Sequence, residues 1–501
     1  MTTVDSQLRR LALGVLLPTF DGTTAPDWIL DSVSAGLGGV CLFGRNVEND
    51  EQVAKLTAQL RERRPDVVVS IDEEGGDVTR LDYWRGSCTP GNYALGVVDD
   101  LMLTTEVAAA LGARLARCGI TLDFAPSADL TLTLDDPVIG VRSFGADPAR
   151  TAKHVQAYVQ GMQAAGIAAC AKHFPGHGAS TVDSHEGLPT LERSEQELRA
   201  TEFLPFMAAV EAGVRAVMTG HLVVPEWGPE PATLNPRAIQ VLREDLGFTG
   251  AVITDAMDMK AISGAESAQH ASASGAVRAL QAGVDGICMS GEWTEPGVVD
   301  LFADTIVAAV QAGVLPERRL AEAAGRMTEL GSLRQVGSVG TVKSSDSDLG
   351  LLAATRALHI DGEPLLNGSP LVVDVMVPPT MAIGQVPWGL GGPMAELVPD
   401  IDQVIIHEDE ADASAILTRA QGNGAQRRPL VVATRDAHRY PWVGRLIKDL
   451  LAVEPGLVHV ETGVPGPNLG TAGRINTHGG SYACLRAAAQ LLAGHLKTGK
   501  A

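Results

Sequence analysis

The sequence predicts a (β/α)₈ barrel followed by a smaller α/β domain, and three observations carry that reading. Short apolar runs alternate with longer amphipathic stretches through the first two thirds of the chain. Several of the runs are apolar almost throughout, as parallel strands covered on both faces must be. Reactive side chains fall at the ends of those runs, and a Gly/Ser/Asp-rich break separates them from a second, shorter set.

The eight predicted barrel strands are Gly14–Phe20, Gly39–Phe43, Val67–Asp72, Ile120–Ala125, Ala168–His173, Ala216–His221, Ala251–Asp255 and Asp285–Met289. Helical patterns lie between them at Asp50–Arg63, Thr104–Arg117, Ala149–Ala164 and Ser194–Ala212. Asp147-Pro148, and Ser194 with Glu197 three residues on, read as helix starts, because each supplies a side-chain acceptor for the first free N–H groups. Strand-then-helix repeated eight times is the barrel signature. Val336–Asp348 then reads as a linker, so the expected division is a barrel over 1–335, a linker over 336–350 and a second domain over 351–501. In that second domain Leu371–Val377, Gln403–His407, Leu430–Thr434 and Leu457–Glu461 predict parallel strands, with a last helix at Tyr482–Leu496.

Composition narrows the class. With 501 residues, 45% hydrophobic and 20% charged, the chain fits a soluble globular protein too long for one core. Its 60 acidic side chains against 39 basic ones repel phosphate backbones and anionic lipid, so neither nucleic acid nor membrane is an expected partner. No run is long enough to span a bilayer, and the N-terminal stretch has no basic segment followed by a long apolar one. The six cysteines are scattered without paired spacing, which predicts reduced core thiols and a cytoplasmic address.

Asp72, Lys172, His173, His221 and Asp255 each sit within the last residue or two of a predicted strand. In such a barrel those ends converge on one mouth, where the active site is built. The densest constellation runs Lys172-His-Phe-Pro-Gly-His-Gly-Ala-Ser-Thr-Val-Asp-Ser-His185. Asp183 and His185 are two apart, so in extended backbone they project to the same side, where a carboxylate can orient an imidazole for proton transfer. Two or three His with an Asp can also bind zinc. Pro175 and Gly176 keep His173 and His177 off one helical face, and the Lys172 charge would repel a cation, so no metal and no cofactor are expected. Asp255 reads equally as a carboxylate nucleophile and as a helix cap at a strand–helix junction. Asp72-Glu-Glu-Gly-Gly-Asp-Val-Thr-Arg80 offers carboxylates and a guanidinium suited to sugar hydroxyls.

In order, Ile71-Asp-Glu-Glu-Gly-Gly76, Asp123-Phe-Ala-Pro126, Val138-Ile-Gly-Val-Arg-Ser-Phe-Gly145, Lys172-His-Phe-Pro-Gly-His-Gly178, Asp183-Ser-His185, Pro231-Ala-Thr-Leu234 and Ile253-Thr-Asp-Ala256 resemble glycoside hydrolase family three, in its bacterial β-N-acetylglucosaminidase branch. The resemblance implies a barrel followed by an α/β sandwich. It implies Asp255 as nucleophile, His185 as general acid/base with Asp183 as its partner, and Asp72, Arg80, Arg142, Lys172 and His173 as the residues that hold the sugar. The expected activity is that of a retaining exo-β-N-acetylglucosaminidase acting on muropeptides or chito-oligosaccharides, a small carbohydrate being the partner. Because a histidine rather than a second carboxylate would serve as base, phosphate joins water as an expected acceptor. A β-glucosidase, a dual glycosidase/phosphorylase, a metal-dependent barrel hydrolase using His173, His177, Asp183 and His185, and a non-catalytic sugar binder stand as alternatives. The segments Asp129–Asp136, which departs from the family's Asn-rich pattern, and Asn476-Thr-His-Gly-Gly480 have no role assigned from sequence.

Overall fold

The computed structural model describes residues 3–178, 187–259, 268–289, 291–333, 346–380, 382–384, 389–422 and 427–498. They form two compact units. The first comprises residues 1–74, 101–139 and 145–343. The second comprises 75–100, 140–144 and 344–501, so it draws two segments from within the first two thirds of the sequence.

In the first unit the barrel strands are β1 (Leu16–Leu17), β2 (Gly39–Leu42), β3 (Val68–Ile71), β4 (Leu122–Asp123), β5 (Ala168–Phe174), β6 (Ala216–Thr219), β7 (Ala251–Thr254) and β8 (Ile287–Cys288). Strands β2 to β7 pair in sequence order, all parallel. β1 pairs with β8, the Cys41 N–H donates to the Pro18 carbonyl, and Ile253 bridges Gly286, which closes the circuit. The interior is filled by Leu17, Cys41, Val68, Leu122, Cys170, Met218, Ile253 and Cys288, apolar or weakly polar side chains that need few partners. All six cysteines are free and five are buried, as expected of core thiols.

Helix starts follow the local chemistry. Asn49 caps Asp50–Arg63 by accepting the Gln52 N–H, and Asp147 caps Pro148–Ala164 by accepting the Arg150 N–H. Ser194 and Glu197 form the expected capping box. The helix expected over Ser194–Ala212 is instead two, Glu195–Ala200 and Phe203–Glu211. Pro205 has no N–H to donate to the carbonyl of Thr201 and its ring crowds that turn, so the chain breaks there and restarts.

In the second unit a six-stranded sheet has the order β11-β10-β12-β13-β14-β9. Its members are β9 (His359–Gly362), β10 (Leu371–Val375), β11 (Asp402–Ile406), β12 (Leu430–Thr434), β13 (Val458–Glu461) and β14 (Gly473–Asn476). Five are parallel, while β9 joins the edge antiparallel to β14, so the sheet is mixed rather than wholly parallel as expected. Alternation along the strands feeds two cores. Val372, Val431 and Val460 pack with Leu485 and Leu492 of the helix Tyr482–Thr498. Leu371, Val373 and Val432 pack with Ile416 and with Leu446 and Leu450 of the helix Pro441–Leu451. Residues 334–345, most of the expected linker, lie outside the described residues, and a helix already begins at Asp346. Among the described residues no helix is long and apolar enough to cross a membrane.

Candidate active site

β5 carries the first part of the site. The Lys172–His173 peptide within it is cis. The register of β5 against β6 shifts between Ala171 and Phe174, and a register shift re-aims side chains. Here the two consecutive residues each meet carboxylates. Lys172 Nζ lies 2.7 Å from Asp72 Oδ1, one residue past β3, and 2.7 Å from Glu74 Oε1. Lys172 and Glu74 are almost wholly buried, whereas the Asp72 side chain keeps 20% exposure, so one carboxylate of the pair still faces solvent.

His173 Nδ1 lies 2.7 Å from Asp129 Oδ2, and the carboxylate of Asp129 also accepts the backbone N–H groups of His173 and His177 and the hydroxyl of Ser127. Burial alone would raise the Asp129 carboxyl, but the adjacent His173 and these hydrogen bonds hold it below its ordinary value. A charged Asp129 makes Nδ1 the donor, which fixes the ring orientation. The loop can approach this carboxylate because of its glycines. Gly176 sits at φ +124°, and a Cβ on Gly178 would collide with the Leu130 carbonyl.

Asp255 stands one residue beyond β7, half-buried, with Oδ1 accepting the Ala256 N–H at 2.8 Å. Beside it His221, two residues past β6 and fully buried, donates Nε2–H to the Ala256 carbonyl at 2.9 Å, and its Nδ1 lies 2.8 Å from the Thr233 hydroxyl. These two bonds make His221 a brace for the segment bearing Asp255. Asp72 and Asp255 each stand one residue past a parallel strand of the same sheet, which places both at one end of the barrel.

The structure therefore brings Asp72, Lys172, His173 and Asp255 into the first unit at strand ends. Asp183 and His185 lie outside the described residues. Arg80 and Arg142, expected within the barrel domain, belong to the second unit, where each is buried. Arg80 donates to the Ala382 carbonyl, and the Arg142 carbonyl accepts from Asn92. Asp129 and Glu74 carry no role legible in the sequence, since an Asp in an apolar loop and a Glu within a run of acidic neighbours give no local signal. Asp123 is similar, being part of a family motif without a role of its own. Burial pushes its carboxyl well above the usual range, one oxygen accepts the Glu73 N–H, and the other has no partner among the described residues. That is the setting of a neutral carboxylic acid. Among the described residues no group of three or more His, Cys, Asp or Glu is placed to hold a metal ion.

A family model described as the glycosyl hydrolase family 3 N-terminal domain matches residues 20–330. The chain belongs to glycosyl hydrolase family 3. This family 3 chain is thus a glycoside hydrolase. It is 38% identical over 242 residues to a beta-hexosaminidase of Stenotrophomonas maltophilia, covering 47% of this chain and 71% of that protein. It is 34% identical over 265 residues to beta-hexosaminidase A of Pseudoalteromonas piscicida, covering 48% of this chain but only 44% of that longer protein. The solved family 3 beta-N-acetylglucosaminidase from Paenibacillus sp. superposes with a TM-score of 0.85 at 30% identity over 97% of each chain.

Proposed function

We propose that this family 3 enzyme is a retaining exo-β-N-acetylglucosaminidase that removes terminal N-acetylglucosamine from muropeptides or chito-oligosaccharides in the cytoplasm. The observation that carries the reading is Asp255, half-buried one residue beyond β7 and braced through Ala256 by buried His221. In this reading an Asp255 oxygen attacks the anomeric carbon as His185, oriented by Asp183, gives its proton to the departing glycosidic oxygen. His185 then takes a proton from water, whose oxygen displaces Asp255 and returns a β-configured sugar. Asp72, Lys172 and His173 hold the sugar by charge-assisted hydrogen bonds, and Arg80 and Arg142 are assigned to sugar binding on the family pattern. The names of the hexosaminidase relatives support the acetamido preference.

Release of nitrophenol from the β-N-acetylglucosaminide and the β-glucoside tests this, with wild type, Asp255→Ala and His185→Ala. Asp255→Ala should lose at least about a thousandfold in kcat/KM, close to 4 kcal/mol of transition-state stabilisation. Preference for the glucoside would replace the substrate assignment, and full activity of Asp255→Ala would remove the mechanism. Repeating the assay with phosphate reads the acceptor, because sugar 1-phosphate forms only if phosphate enters in place of water.

A further inference from the structure

The second unit holds a cavity of about 600 Å³ formed wholly by its own residues. That lies within the ~300–1,000 Å³ span of small-molecule pockets. Its floor is the C-terminal edge of the parallel sheet, at Val375, Thr434 and Thr462. In chain order the five parallel strands run second, first, third, fourth, fifth across the sheet. Connections therefore leave β10 and β12 in opposite directions, and the crevice that opens between them is where open α/β sheets bind ligands. Residues from the ends of both strands line the cavity.

The lining selects the class of ligand. In sheets of this order the turn after the first strand commonly receives a phosphate on free backbone N–H groups. Here that place is taken by the protein itself, since Asp374 Oδ1 accepts the Leu390 N–H at 2.7 Å and Oδ2 the Gly391 N–H at 3.0 Å. A phosphate there would meet the Asp374 side chain in place of those two N–H donors. The lining includes an apolar wall with Val377 and Leu390, exposed Glu408 and Asp409 after β11, and Arg439 and Tyr440 in the segment that follows β12. Arg439 has no carboxylate partner among the described residues, and its guanidinium lies 5.8 Å from the Tyr440 ring centre. Carboxylates and a guanidinium grip vicinal hydroxyls, and an aromatic ring takes the apolar face of a pyranose.

We infer that this cavity of the second unit binds a neutral saccharide, held between Asp409 and Arg439 and stacked on Tyr440. The site does not depend on which glycoside the barrel cleaves. Hydrogen exchange of the full chain tests it, with N-acetylglucosamine, chitobiose, cellobiose or AMP at ~10 mM, enough to fill most of a site with a Kd of about 1 mM. A saccharide should slow exchange in peptides covering 405–412 and 434–442 by up to about tenfold. That protection should vanish in Asp409→Ala and Arg439→Ala, both of which should keep wild-type hydrolysis of a nitrophenyl glycoside. Protection of the barrel peptides reports separately on the proposed function. Protection of 405–412 and 434–442 by AMP and not by sugars, or by no ligand at all, would overturn the inference.

Discussion

His173 and Asp129 are joined twice, ring to carboxylate at 2.7 Å and backbone N–H to the same carboxylate at 3.1 Å. This paired attachment to one buried anion holds both the orientation of the imidazole and the course of the loop that follows β5. Asp129→Asn keeps the volume but replaces an acceptor oxygen with a donor and removes the charge that fixes Nδ1 as donor. Losing hydrogen bonds to a charged group of this kind costs about 1.5–3 kcal/mol. The expected result is a fall of roughly 10- to 100-fold in kcat/KM on a nitrophenyl glycoside. Asp123→Asn, at a carboxyl that burial raises well above its ordinary value, should fall far less.

Lys172 sets one positive charge against two carboxylates in a place with little solvent. Lys172→Met would remove the ammonium that both Asp72 and Glu74 meet. Breaking a buried pair from one side costs about 3–5 kcal/mol. Urea unfolding should show a loss of that order, and adding Glu74→Gln to Lys172→Met should restore part of it.

Asp285 is fully buried just before β8, and Arg243 (2.6 Å), Arg319 (2.5 Å) and Arg326 (2.9 Å) all point at its carboxylate. It also accepts the Val252 N–H, tying β7 to β8. Asp285→Asn leaves three guanidinium groups without their shared anion. A stability loss of at least about 2 kcal/mol should follow, with thermal unfolding as the readout.

Burial, reinforced by the charge of Asp436, raises Glu461 from 4.5 to about 7, while burial and Arg474 lower its neighbour His459 from 6.5 to about 3. Both bond to the Thr434 hydroxyl. The stability contributed by Glu461 is present below pH 4.5 and is lost as pH rises towards 7, because the folded form keeps a proton that the unfolded chain releases. That of His459 is present above pH 6.5 and is lost as pH falls towards 3. Between 4.5 and 6.5 the two slopes oppose. In Glu461→Gln only the histidine slope remains, so unfolding free energy should climb relative to wild type by about 1.4 kcal/mol per pH unit there. Parallel pH profiles for the two proteins would contradict this.

Local chemistry is legible along the chain. Apolar runs mark the eight barrel strands to within a few residues, and Asp147 and Ser194 mark helix starts through their own side chains. Strands β9 and β14 escape such a reading because His359-Ile-Asp-Gly362 and Gly473-Arg-Ile-Asn476 each hold a single large apolar residue. The role of Asn476–Gly480 is hidden for a different reason. Gly480 donates its N–H to Asp77 Oδ1, and Asp77 pairs with Arg435, a clamp between segments hundreds of positions apart.

The sequence by itself determined the barrel, the order of its strands and the reactive side chains at their ends, because period, capping and turn chemistry act between residues a few positions apart. Only the tertiary structure decided that Asp129 orients His173, that His221 braces the segment bearing Asp255, and that residues 75–100 and 140–144 join the second unit. Each of those is a pairing between distant segments. Its energy comes from burying a charge or a donor against one specific partner, and no periodicity along the chain records which partner that will be.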